Sequence, residues 1–184
     1  MRQREIPDGV VDWYRRLVRE VAHEGRWLYL YNFPQMSGVP LGDDLTARIV
    51  EACGGAIGGY KDSSGDRANS GAVARRFGDL DVFVGTEARM SDLLALGGAG
   101  WISATASVQP RTIAPVVAAA PRARAAAQAR VSRTRDAFSD FSLVPAVKVA
   151  LAEIHGDAGW TRLCAPLRPL TDARRRALVS ALGL

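Results

Sequence analysis

A lysine with unusual surroundings lies in the stretch Gly58 to Asp66, GGYKDSSGD. The chain has only two lysines, Lys61 and Lys148, against 22 arginines, and Lys61 closes a short apolar run. Burial disfavours the charged form of a lysine amine, whereas arginine stays charged. A neutral amine attacks ketones to form a Schiff base, whose protonated imine acts as an electron sink. Lys61 is therefore a candidate nucleophile, and the alternative from spacing alone is an ion pair with Asp62 or Asp66.

Imine chemistry also needs a group that moves protons close to the carbonyl carbon. Tyr31 ends an apolar run that should form the strand beside the one carrying Lys61, so its hydroxyl would enter the same region. The alternative for Tyr31 is a core aromatic ring with a hydrated hydroxyl.

The elements that would carry these side chains alternate between helix and strand. Apolar residues at helical spacing over residues 10–24 predict an amphipathic helix. Short apolar runs predict four strands, at 27–31, 56–60, 81–84 and 100–103. Capping residues and periodicity predict a helix after each of the first three strands, at 43–53, 66–77 and 88–96. Beyond Pro110 the chain is predicted to be helical, over 111–139, 143–155 and 171–182.

The strand pattern predicts the α/β fold class. Continuous apolar strands that are each followed by a helix are typical of parallel strands buried on both faces. In such folds the sites form at the carboxyl ends of the strands. Polar residues collect at all four predicted ends, namely Tyr31 and Asn32, Lys61 to Ser64, Gly85 to Glu87, and Ser103 to Ser107. Their convergence predicts a functional site.

Composition excludes several classes of protein. No run approaches the ~18 apolar residues of a membrane span, and the basic N-terminus lacks the apolar region of a signal peptide, so a cytoplasmic protein without membrane contact is predicted. The two cysteines, Cys53 and Cys164, have no metal-ligand spacing, and neither a metal nor a cofactor is predicted. The net charge of +5 comes with arginine clusters in alanine-rich helices that lack interleaved aromatics, so no nucleic-acid partner is predicted.

Four motifs, in order along the chain, resemble the dihydrodipicolinate synthase and N-acetylneuraminate lyase family of class I pyruvate-dependent aldolases. They are LYNFP (30–34), GYKDSSGD (59–66), VGTEA (84–88) and GAGWISATASVQP (98–110), and the later CAPLRPL (164–170) resembles the family's closing stretch. The resemblance implies that Lys61 forms the Schiff base and that Tyr31 relays protons. It implies that the main chain at Ile102 contacts the pyruvyl part of a 2-oxo acid substrate. It also implies that Gly85, Glu87 and Ser103 shape the pocket for the rest of the substrate.

One departure from the family pattern concerns the substrate. Dihydrodipicolinate synthases carry an arginine just after the Tyr-Asn-x-Pro motif, and it binds the carboxylate of the aldehyde substrate. This chain has Gln35-Met36-Ser37-Gly38 there, and Met36 cannot bind a carboxylate. The resemblance therefore implies a sugar-acid aldolase acting on pyruvate or a 2-keto-3-deoxy acid, rather than an enzyme of lysine biosynthesis.

The second departure concerns extent, because the family's barrel has eight βα units and the match begins before the fifth. The prediction is a single partial barrel domain, 1–184, in which 1–110 form four βα units preceded by a helix and 111–184 form C-terminal helices. This would be the C-terminal half of a TIM (β/α)8 barrel, whose complete form takes ~250 residues. Two unpaired sheet edges would then require a homo-oligomer or a complementary N-terminal half. The alternative is a truncated, catalytically silent fragment that serves as a subunit.

Overall fold

The computed structural model describes residues 5–21 and 27–184. By its internal contacts the chain divides into two units, Met1–Ile102 and Ser103–Leu184. The first unit holds the predicted strand ends up to Ile102, and the second holds Ser103 and the C-terminal helices.

The first unit alternates helices and strands in the predicted order. Its helices are α1 (Glu5–Val21), α2 (Pro34–Ser37), α3 (Asp43–Cys53), α4 (Arg67–Arg76) and α5 (Met90–Ala95). Its strands are β1 (Leu28–Asn32), β2 (Ile57–Asp62), β3 (Asp81–Val84) and β4 (Gly100–Trp101). The four strands form one parallel sheet in the order β1-β2-β3-β4, so β1 and β4 are the edges of the sheet in the described part of the chain.

Local sequence explains where the helices of this unit begin and end. Asp43 and Asp44 lie in the first turn of α3, where their negative charge favours the helix N-terminus. Gly54 ends α3 with a φ of 58°, a conformation that L side chains rarely adopt. The carboxylate of Asp66 caps α4 by accepting hydrogen bonds from the backbone N–H groups of Ala68 and Asn69.

One face of the sheet carries the core of the first unit. Leu30, Tyr60, Val82 and Val84 are buried there against residues of the helices, which include Val11, Ile49, Val73 and Leu93. Alternation along the strands places the remaining side chains on the opposite face. There Tyr29 is 43% exposed and Tyr31 is 46% exposed, so none of the described helices of the first unit covers this second face, which we call the open face.

The second unit is helical. It contains α6 (Pro110–Ala118), α7 (Pro121–Asp136), α8 (Leu143–His155) and α9 (Asp172–Leu182). Phe138, Ala146, Ala150 and Leu178 are buried at the centre of its core. The predicted helix over 111–139 is two helices, because Ala119 and Ala120 are non-helical and Pro121 starts a new helix at its first position, where the missing N–H costs nothing.

The fold agrees with the sequence-based prediction in class and in element order. The predicted α/β class and the four parallel strands are confirmed. The predicted helix over 10–24 is seen as α1, and residues 22–26 lie outside the described part of the chain. The short helix α2 was not predicted. None of the described helices is long and apolar enough to cross a membrane.

Candidate active site

The carboxyl ends of β1 and β2 bring Tyr31 and Lys61 together on the open face. The two residues are direct partners in the register of the parallel pair. The Lys61 amine lies over the Tyr31 ring, 4.0 Å from the ring centroid. Lys61 is half-buried, whereas the ring of Tyr31 is largely exposed and stacks on Phe33. The predicted nucleophile and the predicted proton carrier are therefore neighbours.

The electrostatic setting of the Tyr31 hydroxyl favours its phenolate form. Burial by itself would raise the pKa of Tyr31, but hydrogen bonds from Ser63 and Lys61, with the charge of Lys61, lower it below the usual 10.0. The pKa of Tyr29 is instead raised, first by its hydrogen bond to Asp81. Two tyrosines of one strand, on one face of the sheet, thus have opposite pKa shifts, and Tyr31 is the one that releases its proton more readily.

Gly85 makes room for the Ser63 hydroxyl, which helps to lower the pKa of Tyr31. A Cβ atom at Gly85 would overlap Ser63 Oγ and would lie 3.0 Å from Ser63 Cβ. The Gly85 N–H also donates to the carbonyl oxygen of Asp62 at 2.7 Å, which holds this loop against the end of β2. Gly85, which the family resemblance assigns to the pocket, therefore permits the Ser63 side chain to lie where it contacts Tyr31.

Ile102 follows the end of β4. Its side chain is 46% exposed, and strand alternation puts it on the same face of the sheet as Phe83 and Gly100. The Ile102 N–H donates to the carbonyl oxygen of Val84 at 3.0 Å. A main-chain contact with a substrate would therefore fall to the Ile102 carbonyl oxygen.

The other two predicted site residues lie in different surroundings. Glu87 is completely buried in the 3-10 turn that follows β3, so its carboxylate is not part of the exposed surface. Ser103 begins the second unit, where its Oγ accepts a hydrogen bond from the Ala106 N–H at 3.2 Å. The substrate-binding roles of Glu87 and Ser103 stay predictions.

The alternative of an ion pair between Lys61 and a neighbouring carboxylate is not what the structure shows. Asp62 points to the helix side of the sheet and is 3% exposed, and its oxygens accept hydrogen bonds from residues of β1 and α4. Asp66 caps α4. Both carboxylates are thus occupied away from the open face, and the contact of Lys61 is with Tyr31.

The sequence places Asp62 and Ser63 among the polar residues at the end of the second strand, but it predicts neither the buried hydrogen bonds of Asp62 nor the influence of Ser63 on Tyr31. The predicted strand ended at Tyr60, which made Lys61 to Ser64 a loop, whereas β2 continues through Asp62. Had the strand been extended by two residues, alternation would have put Lys61 and Asp62 on opposite faces. No cluster of three metal-ligating side chains is found within residues 5–21 and 27–184.

The chain matches the profile of the dihydrodipicolinate synthetase family over residues 4–183. It is 33% identical over 175 residues to an uncharacterized DapA-like lyase of Chloroflexus aurantiacus, which covers 94% of this chain and 58% of that relative. It is 38% identical over 132 residues to the 4-hydroxy-tetrahydrodipicolinate synthase of Thioalkalivibrio sulfidiphilus, which covers 68% of this chain and 44% of that enzyme. The chain therefore belongs to the dihydrodipicolinate synthetase family.

Solved structures show the same fold. Dihydrodipicolinate synthase from Agrobacterium tumefaciens superposes with a TM-score of 0.82 at 27% identity, over 96% of this chain and 60% of that one. YagE of Escherichia coli, a family member solved in complex with pyruvate, gives a TM-score of 0.84 at 21% identity over 96% of this chain and 61% of that one. The chain thus spans about half to three fifths of the length of the proteins that it matches.

Proposed function

We propose that this chain carries the Schiff-base half of a class I aldolase or lyase, in which Lys61 forms an imine with pyruvate or a 2-keto-3-deoxy acid. The observation that carries the proposal is the Lys61–Tyr31 pair at the carboxyl end of the sheet, with the amine over the ring and 4.0 Å from its centroid. Membership of the family supports the same chemistry.

In the proposed reaction the Lys61 ammonium first gives a proton to the Tyr31 phenolate, and the resulting amine attacks the C2 carbonyl carbon of the 2-oxo acid. The resulting carbinolamine loses water and becomes a protonated imine. In cleavage, the C4 hydroxyl of the 2-keto-3-deoxy acid loses its proton, the C3–C4 bond breaks, its electrons flow into the imine, and the aldehyde leaves. The enamine that remains is protonated at C3, which gives the imine of pyruvate. Tyr31 receives and returns the protons, since its lowered pKa makes the phenolate more accessible than in an ordinary tyrosine. Hydrolysis of the imine then releases the 2-oxo acid and restores the amine.

The segment after the first strand supports a sugar-acid substrate. A dihydrodipicolinate synthase needs a cation there for the aldehyde's carboxylate, and this chain has Gln35 and Met36. The Gln35 amide donates to the carbonyl oxygen of Ser64 at 2.7 Å, and Met36 is 77% exposed. A neutral segment leaves room for a hydroxylated chain rather than a second carboxylate, so a 2-keto-3-deoxy sugar acid is the proposed substrate class.

We further propose that the sheet is the C-terminal half of a (β/α)8 barrel and that the site is completed by a second half. The open face exposes Tyr29, Tyr31 and Ile102, and the edge strands β1 and β4 each have one neighbour within the described chain. The matched proteins are longer by an amount that corresponds to about four further βα units. The complementary N-terminal half of the family barrel is the proposed partner, and a second copy of this chain is the alternative.

The same incompleteness supports a second function, that of a catalytically silent subunit. A site made from the described strands alone has no basic side chain besides Lys61 on the open face to hold a substrate carboxylate. If the missing half is never supplied, the exposed face would serve only as an assembly surface for an intact relative. Activity in a reconstituted complex distinguishes the two functions.

The test measures the release of pyruvate from 2-keto-3-deoxygluconate, which a coupled lactate dehydrogenase assay detects. The chain is assayed alone and with a co-expressed N-terminal half taken from a family relative. Lys61→Arg, which keeps the charge but cannot form an imine, is the matched negative control, and Lys148→Arg is the positive one. Pyruvate release that requires Lys61 supports the aldolase. Equal background rates for the folded complex and for Lys61→Arg support the silent subunit.

A further inference from the structure

The carboxylate of Asp62 lies directly behind the Lys61–Tyr31 pair, on the helix side of the sheet. It is almost completely buried, and its two oxygens accept four hydrogen bonds at 2.7 to 3.0 Å. Oδ1 accepts from the side-chain amide of Asn32 and the backbone N–H of Ser64, and Oδ2 accepts from the amide of Asn69 and the hydroxyl of Ser70. A buried carboxylate with this many donors is held strongly, since hydrogen bonds to a charged acceptor are stronger than neutral ones.

The network extends from Asp62 to three other parts of the first unit. The Asn32 side-chain oxygen accepts from the Leu41 N–H at 2.9 Å, on the segment that leads into α3. The Asn69 amide also donates to the Tyr60 hydroxyl, which in turn donates to the Leu41 carbonyl oxygen. Asp62 thus ties together the ends of β1 and β2, the first turn of α4 and the approach to α3.

The position of this network in the strand register makes it relevant to the site. Asn32 and Asp62 are cross-strand partners, immediately after the partners Tyr31 and Lys61. Neighbouring residues of a strand point to opposite faces, so a side chain fixed on one face also fixes the direction of the next one on the other. The hydrogen bond between Asn32 and Asp62 therefore sets the separation and the orientation of the catalytic pair.

We propose that Asp62 is the positioning residue of the site: its buried carboxylate clamps β1 to β2 and thereby holds Lys61 against Tyr31. The effect of Asp62 on catalysis rests on the proposed function, whereas the hydrogen bonds by which Asp62 holds β1 to β2 belong to the fold. All four donors around Asp62 require an acceptor. Asn at position 62 keeps the shape but turns one of the two oxygens into a donor that faces other donors.

The first test measures the ionisation of Tyr31 in the Asp62→Asn variant by ultraviolet difference spectroscopy during a pH titration. In the wild-type chain the clamp keeps Lys61 against Tyr31, so the titration should show one tyrosine that ionises below pH 10. In Asp62→Asn this early step should move to 10 or above. The matched control is Asp66→Asn, the same chemical change four residues later, where Asn still caps α4 and the early step should stay.

The second readout is the rate at which borohydride traps pyruvate on Lys61. Misplacement of reacting groups is costly, so Asp62→Asn should lower this rate roughly tenfold or more, with Asp66→Asn near wild type. The two readouts separate the two proposals. An unchanged early tyrosine step and unchanged trapping in folded Asp62→Asn overturn the positioning role, whereas absence of any pyruvate adduct in the wild type overturns the proposed function without touching the tyrosine result.

Two more variants keep the test decisive if Asp62→Asn fails to fold. Asn32→Ala removes the cross-strand hydrogen bond and the one that Asn32 accepts from the Leu41 N–H, but it leaves Asp62 its other three donors, so it should raise the Tyr31 pKa as Asp62→Asn does. The exchange Asn32→Asp with Asp62→Asn puts a donor opposite an acceptor again and should restore part of the early step. A folded Asn32→Ala with the wild-type titration contradicts the clamp.

Discussion

At the scale of the residue, the site depends on the different surroundings of tyrosines that lie close in sequence or space. Tyr29 donates to a carboxylate, which raises its pKa, and Tyr31 receives hydrogen bonds from Ser63 and Lys61, which lower its pKa. Tyr60 is buried behind the sheet and its pKa is raised by that burial. One residue type therefore serves as a structural group at Tyr29 and Tyr60, whereas the proposed function gives Tyr31 an acid–base role.

The role of Tyr31 predicts the behaviour of Tyr31→Phe. Phenylalanine keeps the ring beside the Lys61 amine but removes the hydroxyl, so imine formation with pyruvate should persist. Turnover in an active complex should fall ~10²- to 10⁴-fold, the usual cost of losing a positioned acid–base group. Borohydride trapping and steady-state rates measured on one preparation check both parts. Unchanged turnover would contradict the acid–base role and would leave Tyr31 as an exposed aromatic side chain.

Tyr60 predicts a pH dependence of stability with a definite sign. Its folded-state pKa lies above the unfolded value of 10.0, so the neutral hydroxyl's contribution is complete below pH 10 and is lost as the pH rises above it. Tyr60 alone should lower the free energy of unfolding by about 1 kcal/mol between pH 10 and pH 11, because the unfolded tyrosine is already half ionised at pH 10. Urea unfolding of the wild type and of Tyr60→Phe measures this. The variant should be less stable at pH 8, where it lacks the hydrogen bond to Leu41, and should show a flatter decline. Parallel declines would contradict this assignment.

At the scale of the element, β2 determines the site more than its neighbours do. Periodicity correctly placed a strand there and polar residues at its end, because short apolar runs between glycines and a helix cap are a strong signal. It placed the strand end two residues too early, since Lys61 and Asp62 are polar and their burial comes from tertiary hydrogen bonds that no local pattern encodes. For this reason the predicted end of β2 was misplaced, and the role of Asp62 was not predicted.

Close packing on β2 predicts a specific sensitivity to Gly59→Ala. A Cβ atom at Gly59 would overlap the ring of Tyr29 and would lie 2.6 Å from the Asp81 carbonyl oxygen. Since backbone cannot move aside cheaply, the variant should lose ~1–3 kcal/mol in the free energy of unfolding. Gly55→Ala is the matched control, because nothing lies within 4 Å of its added Cβ. Urea unfolding that gives the same midpoint for both variants would contradict the packing described for Tyr29.

At the scale of the whole molecule, the strand pattern allowed the fold class to be predicted, and the polar residues and motifs at the strand ends allowed the pair Lys61–Tyr31 to be predicted. Each motif ends a strand, and parallel strands bring such ends together whatever the intervening sequence. The position of Glu87 could not be predicted, because a charged residue in a strand-end motif is expected at the surface and this one is buried. The placement of Ser103 in the second unit was likewise beyond a local pattern.

The exposed sheet predicts association. Edge strands present backbone N–H and C=O groups, and leaving a buried hydrogen bond unmade costs ~1–3 kcal/mol, which is large against the ~5–15 kcal/mol stability of a typical domain. The isolated chain should therefore sediment as an oligomer or aggregate, and co-expression with an N-terminal half should give a single complex. A sharp monomer peak at micromolar concentration, with a cooperative melt, would contradict the need for a second half.

The proposed function requires Lys61 to be the imine-forming residue, and peptide mapping after borohydride reduction with pyruvate identifies the lysine that reacts. Lys148, the other lysine, lies within α8 of the second unit and serves as the internal control. The site predicts one reduced pyruvyl adduct, on the peptide that contains Lys61, and its loss in Lys61→Arg. An adduct on Lys148 instead, or no adduct on either lysine in a preparation shown to be folded and complete, would contradict the Schiff-base site.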